Sequence, residues 1–267
     1  GTRCETGSGF LVFAIQVIGA MSVMLAGSLW PKRCWKHSVF DPTQVPRVFG
    51  LAPGIDFPRA VLDGFEKRLA GAAPEDWARV TLIVNTRRMA RRIRAIFDAG
   101  PPRLLPRILL LSDVGEMMPG IVIRPGVSLL RRRLELVQLI SALLDKYPEL
   151  APRTSLYDLA DSLAELIDEM QGEGVSPEQI AKLDVDDVSG HWANTKQFIE
   201  IAQSYLDLTN DRPDTEARQR WVVSQITRRW DKDPHPHPVL LIGSTGSRGT
   251  TQMLMQAVAN LPKGALL

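Results

Sequence analysis

The stretch Val80-Thr-Leu-Ile-Val84-Asn-Thr-Arg-Arg-Met-Ala-Arg91-Arg-Ile-Arg-Ala-Ile-Phe-Asp-Ala99 decides the fold. Its first five residues form an apolar, β-branched run of strand length. From about Arg87 the pattern changes to a helix that runs to Ala99 and is stopped by Gly100-Pro101-Pro102. At about 100° per residue, Arg87, Arg88, Arg91, Arg92 and Arg94 fall in one arc. Met89, Ile93, Ile96 and Phe97 fall in the opposite arc, where a sheet would lie. A buried strand therefore runs directly into an amphipathic helix with a cationic outer face.

The same alternation continues on both sides. Upstream, Arg47-Val-Phe-Gly-Leu-Ala52 reads as a short buried strand ending in a Pro-Gly turn, and Pro58–Leu69 as a helix. Downstream, Arg107–Leu111 reads as a third strand. Strand–helix alternation of this kind predicts an α/β fold with a parallel sheet. From about Ser128 the strands vanish. Leu129–Leu144 is a helical run, and Leu156, Leu159, Leu163, Leu166, Ile167 and Met170 form an apolar stripe closed by Gly172 and Gly174. Ser176-Pro177-Glu178-Gln179 has the form of a capped helix start. Further helices fit 190–208 and 214–231. Val239–Ile242 restores a strand, Thr250–Leu261 a helix, and Gly264–Leu267 another apolar run. The predicted organisation is a first α/β part at 45–127, a helical insertion at 128–233 and a return to the sheet at 238–267. No internal repeat is present.

Composition bounds the possibilities. The 267 residues are 45% hydrophobic and 23% charged, ordinary for a globular chain. Cys4 and Cys34 are too few for a disulfide framework, and neither belongs to a CxxC pair. The net charge of +2 names no partner, but the charge is segregated. Residues 79–133 hold twelve Arg against three acids, a local +9; residues 145–217 hold seventeen acids against five bases, a local −12. Such asymmetry suggests a nucleic-acid face on one part and a solvated or protein-docking face on the other. Residues 11–30 carry no charge and are long enough to span a membrane. They read as a span or uncleaved signal, as a buried helix, or as part of a leader, 1–40, outside the natural domain. The last reading is preferred, because the chain is self-contained from Val45 onward.

Few residues could carry chemistry. Asn85 and Thr86 end the central strand and open a helix, where backbone N–H groups suit a phosphate. With Arg87, Arg88, Arg91, Arg92 and Arg94 they form the candidate phosphate-gripping surface, able to neutralise several phosphates without reading bases. Two turns sit where GxxxxGK[ST] would lie. In Gly50-Leu-Ala-Pro-Gly54-Ile-Asp56-Phe57 the Lys position is Asp56 and the hydroxyl position is Phe57. In Ser244-Thr-Gly-Ser-Arg-Gly-Thr-Thr251 the first Gly is missing and Thr250 replaces Lys. Neither is a working ATP site, although small polar residues there could still hold a substrate phosphate. His235 and His237 alternate with Pro in what reads as an exposed linker. His191-Trp192 reads as packing. Asp184, Asp186 and Asp187 lack the Gly and terminal Glu of a calcium loop. Glu165, Asp168 and Glu169 read as a solvated helix face. No catalytic residue and no metal ligand is assigned.

Six stretches carry a resemblance: Arg47–Pro58, Thr81–Arg91, Ser128–Ile140, Ser155–Ser162, Asp168–Ser176 and Gly243–Thr250. From about Pro46 to its end the chain resembles the N-terminal part of the AddB family in its alphaproteobacterial form, a subunit of the AddAB helicase–nuclease. Residues 1–40 are not part of the resemblance. It implies a P-loop helicase-like sheet with an inserted all-α subdomain and a decayed ATP site. It places Thr81–Arg91 where a strand and loop grip single-stranded DNA. It places Ser244, Thr245, Ser247 and Arg248 near another DNA-contacting motif. It also implies a role in double-strand-break repair, end resection and recombination, in the cytoplasm. The implied partners are DNA, as single strand or duplex end, and an AddA-like helicase–nuclease subunit. The resemblance places the family's ATP and magnesium chemistry and its iron–sulfur cluster on parts absent here or on the partner subunit, so no cofactor is expected on this segment. The competing reading is a membrane-tethered adaptor that docks a protein through its acidic helical region. It requires residues 11–30 to be a genuine span.

Overall fold

The computed structural model describes residues 41–181, 191–208 and 213–267. In chain order the elements are α1 (Phe57–Arg68), α2 (Pro74–Ala78), β1 (Thr81–Val84), α3 (Arg87–Asp98), β2 (Arg107–Leu110), α4 (Leu129–Lys146), α5 (Leu156–Glu173), α6 (Pro177–Ala181), α7 (His191–Leu208), α8 (Thr215–Lys232), β3 (Val239–Ile242), α9 (Gly249–Asn260) and β4 (Gly264–Leu266). The chain is mixed α/β, with one all-parallel four-stranded sheet in the order β2-β1-β3-β4. It divides into two compact units. The first comprises 41–117 of the described residues, Ile226–Ser247 and Thr251–Leu267; the second comprises Met118–Gln225 and Arg248–Thr250. These boundaries lie earlier in the chain than the 128 and 233 expected from the disappearance and return of strands.

The first unit is built around β1 and β3. All four residues of each are buried, as central parallel strands require. Leu82, Val84, Leu240 and Ile242 pack in one core with Val61, Leu62 and Phe65 of α1 and Ala90, Ile93 and Phe97 of α3. Ile83 and Leu241 point to the other face by strand alternation and are equally buried. Trp77 of α2, an element the periodicity did not show, meets Phe97 edge-on, and the Arg103 guanidinium lies over its ring at 4.8 Å. The strand expected at 47–52 is reduced to a bridge between Val48 and Leu266, flanked by Phe49 N to Leu266 O and Leu266 N to Arg47 O, both 2.9 Å. Pro46 and Gly50 bound it, and an edge segment interrupted by such residues cannot extend its ladder.

β4 begins at Gly264 because nothing larger fits there. A Cβ at this position would overlap the Val258 carbonyl oxygen and lie 3.0 Å from Leu261 Cβ. Gly264→Ala should therefore cost about 1–3 kcal/mol by overpacking against backbone. Urea denaturation of the full chain checks this; a loss below half a kcal/mol would show that the α9–β4 turn can relax.

The second unit is helical. Leu136, Ile140 and Leu144 of α4 pack on Ala160, Leu163 and Ile167 of α5 and on Ile201, Ala202 and Tyr205 of α7. Gly174, at φ +72°, is the left-handed cap that ends α5. Gly172 does not end it but lies buried inside its last turn. The Ser176–Gln179 capping box forms as expected: Gln179 N donates to Ser176 Oγ at 3.4 Å and Ser176 N donates to Gln179 Oε1 at 2.8 Å. Among the described residues no helix is long and apolar enough to cross a membrane. Residues 11–30, Cys4, Cys34, Asp184, Asp186 and Asp187 lie outside the described residues.

Candidate nucleic-acid interface

Parallel sheets of this kind collect ligands at the carboxyl ends of their strands, where helix N-termini gather. Three helices begin there: α1 after the 47–49 segment, α3 after β1 and α9 after β3. The chain treats their positive ends differently.

At α1, Asp56 is the N-cap, and its Oδ1 accepts from Arg59 N at 3.4 Å. Arg92 Nη2 donates to Asp56 Oδ2 at 2.8 Å. The hydrogen bond from Arg92 holds the Asp56 carboxyl below its ordinary range, so Asp56 is ionised at neutral pH. The helix end that a phosphate loop would offer to ATP is thus already met by a carboxylate. Gly54 forms the preceding turn at φ +86°, and Gly50 lies before it.

At α9, the first turn belongs to the second unit. Gly249 N donates to Glu173 Oε1 at 2.8 Å, and the buried Thr250 hydroxyl donates to Gly172 O at 2.9 Å. Arg248 is paired with Glu216 at 3.2 Å. Thr250 and Arg248 are therefore engaged with their own unit, which removes Arg248 from the set of open cations. Ser244 is half-buried, while Thr245 and Ser247 are exposed.

Only α3 lacks a carboxylate at its start. Thr86 caps it, its Oγ accepting from Met89 N at 3.2 Å. Its first turn holds Arg87 and Arg88 and no acid. Cations at the positive end of the helix dipole are unfavourable by a few tenths of a kcal/mol or more. Arg87, Arg88, Arg91, Arg92 and Arg94 are all exposed, and Ala90, Ile93 and Phe97 are buried beneath them. Of the five, Arg92 is held by Asp56. The other four have no ion pair among the described residues.

Six other arginines of the +9 stretch are engaged in ion pairs. Arg79, Arg103 and Arg107 pair with Asp76, Glu66 and Glu116. Arg131, Arg132 and Arg133 pair with Glu135, Asp168 and Asp161 in the second unit. Much of the regional charge is locally neutralised, and for Arg103, Arg132 and Arg133 a regional charge count does not show it because their partners are distant in the chain. Asp168, expected on a solvated face, is thus an ion-pair partner of a buried Arg.

Asn85 has a different task from the one expected. Its side-chain amide donates to the Gly243 carbonyl, tying the β1–α3 turn to the β3–α9 loop. Gly243 sits at φ +71°, and a Cβ there would lie 3.2 Å from Met89 Cε. Asn85 therefore ties two loops together through one N–H of its exposed amide. In the turn before β3, the His235 ring meets Trp230 and His237 edge-on. Among the described residues no group of three or more His, Cys, Asp or Glu could hold a metal ion.

Comparison with protein-family models and with curated proteins gives no match.

With Asp56 on the α1 end and Glu173 on the α9 end, the chain is expected not to turn over ATP. DNA-stimulated phosphate release is the measurement. Release that survives purification and disappears with Gly50→Ala would contradict it.

Proposed function

We propose that this chain is a DNA-binding, non-hydrolysing module that holds the phosphate backbone of single strands through the outer face of α3, without sequence preference. The observation that carries this reading is the set of four exposed guanidiniums, Arg87, Arg88, Arg91 and Arg94, which have no ion pair among the described residues and lie on a strand-end helix whose first turn holds no acid. Guanidinium forks suit phosphate oxygens, and Arg is used throughout this face with no Lys. The α/β sheet interrupted by helices between β2 and β3 supports the P-loop helicase-like reading. So does a phosphate-loop turn whose Lys position is an acid engaged as a cap. On this reading the chain is the N-terminal helicase-like segment of an AddB-like subunit. It would act with an AddA-like partner in cytoplasmic DNA-end resection. The test is binding of the full chain to labelled single strands of several sequences, titrated with salt. Equal affinities that fall together with salt are expected; strong preference for one sequence would contradict recognition of the backbone alone.

A further inference from the structure

The Arg92–Asp56 pair has a place in this surface that the other ion pairs do not. Among the described residues, Arg92 is the one member of the five-arginine arc with an ion pair, and its partner caps a neighbouring helix. Asp56 is anchored from its own helix by Arg59 N, while Arg59 is itself paired with Asp63 at 3.0 Å. Arg92 is thus the only guanidinium bonded to Asp56 among the described residues. Both side chains are about half exposed, at 55% and 47%. A solvated pair of this kind adds little to stability, so it can be removed without unfolding the chain.

We propose that Asp56 is an internal competitor for phosphate: it keeps Arg92 out of the α3 face, so that the face engages one phosphate fewer than its five arginines allow. The proposal rests on the reading of α3 as a phosphate-binding surface. Asp56 stands at the Lys position of the degenerate phosphate loop, so one substitution inverts the charge of that turn, covers the α1 N-terminus and sets the strength of the adjacent surface. Removing the carboxylate frees Arg92 to follow a bound strand.

The test uses the full chain, an oligothymidylate strand and three variants: Asp56→Asn, Arg92→Ala and the double. Asn remains a good N-cap, so Asp56→Asn keeps α1; an unchanged melting profile verifies this. Asp56→Asn is expected to steepen the dependence of log affinity on log salt by about 0.7. Over one decade of salt below 1 M, that slope corresponds to about fivefold tighter binding at 0.1 M. The double variant is expected to match Arg92→Ala, with the gain abolished. A gain that persists without Arg92 would overturn the proposal, because Asp56 would then act only as a diffuse negative charge. No gain in Asp56→Asn, with the wild-type chain binding, would also overturn it while leaving the α3 reading intact. A wild-type chain with no salt-dependent binding overturns the α3 reading and this proposal together.

Discussion

Arg132→Ala is expected to destabilise the helical unit by about 3–5 kcal/mol, the cost of stranding a buried charge. Arg132 is only 4% exposed, as buried as the leucines around it. Its Nη1 donates to Asp168 Oδ1 and its Nη2 to the Ala164 carbonyl, both at 2.7 Å, and its Nε lies 3.6 Å from Asp214 Oδ2. Asp214 is buried as well, accepting from the Tyr205 hydroxyl at 3.0 Å and from Gln171 Nε2 at 3.4 Å. The cluster joins α4, α5 and α7 to the residue that opens α8. Without Arg132, Asp214 would keep two neutral donors and no counter-charge.

Helix loss followed in urea measures the effect, and pH gives its signature. Burial raises the Asp214 carboxyl above its ordinary range, and Arg132 opposes that rise. A raised folded-state value means that ionising Asp214 costs stability as pH rises through it. Removing Arg132 enlarges that cost. The deficit of Arg132→Ala should therefore be greatest at neutral pH and shrink on acidification, once Asp214 is protonated in both states. Asp214→Asn combined with Arg132→Met should recover much of the loss. A deficit under 1 kcal/mol, or one independent of pH, would show that water reaches the cluster and that the pair is not structurally important.

The central elements were legible in the sequence because their signals are local. β1, α3 and β3 each combine an apolar run or stripe with clear punctuation, and the Ser176 capping box is a four-residue pattern. What was not legible depends on distant partners. Nothing near Asp56 in the chain reveals Arg92, thirty-six positions away. Nothing near Gly249 reveals that Glu173 caps it from seventy-six positions away. Arg132 lies in a run of three arginines that composition reads as surface, yet its position at i−4 and i−8 from Leu136 and Ile140 places it on the buried stripe of α4. That spacing was the available signal. The short edge segment at 47–49 has the pattern of a full strand because an apolar run does not report how many neighbours it will have.

The second large effect concerns α3 itself. Replacing Arg87, Arg91 and Arg94 by Ala removes three of the four α3 guanidiniums that have no ion pair among the described residues, while leaving Ala90, Ile93 and Phe97 to hold the helix on the sheet. Stability should change by no more than about 0.5 kcal/mol. It should move, if at all, in the favourable direction, because Arg87 stands at the positive end of the helix dipole. Glu165→Lys is the matched control, since Glu165 is exposed on α5 and has no ion pair among the described residues. Asp161 would be a poor control because it holds Arg133, whose guanidinium also lies over Tyr157 at 5.3 Å.

The most direct measurement is the salt dependence of single-strand binding by the full chain and by the Arg87→Ala, Arg91→Ala, Arg94→Ala triple variant. Affinity should fall linearly in log salt for the wild-type chain, and the slope should become shallower in the triple variant by about 0.7 for each phosphate that is no longer neutralised. The reduction should be the same for strands of any sequence, and Glu165→Lys should leave the slope as it was. Identical affinity and slope in the wild-type and triple-variant chains would contradict the account, because the α3 face would then be a solvated surface that binds no phosphate.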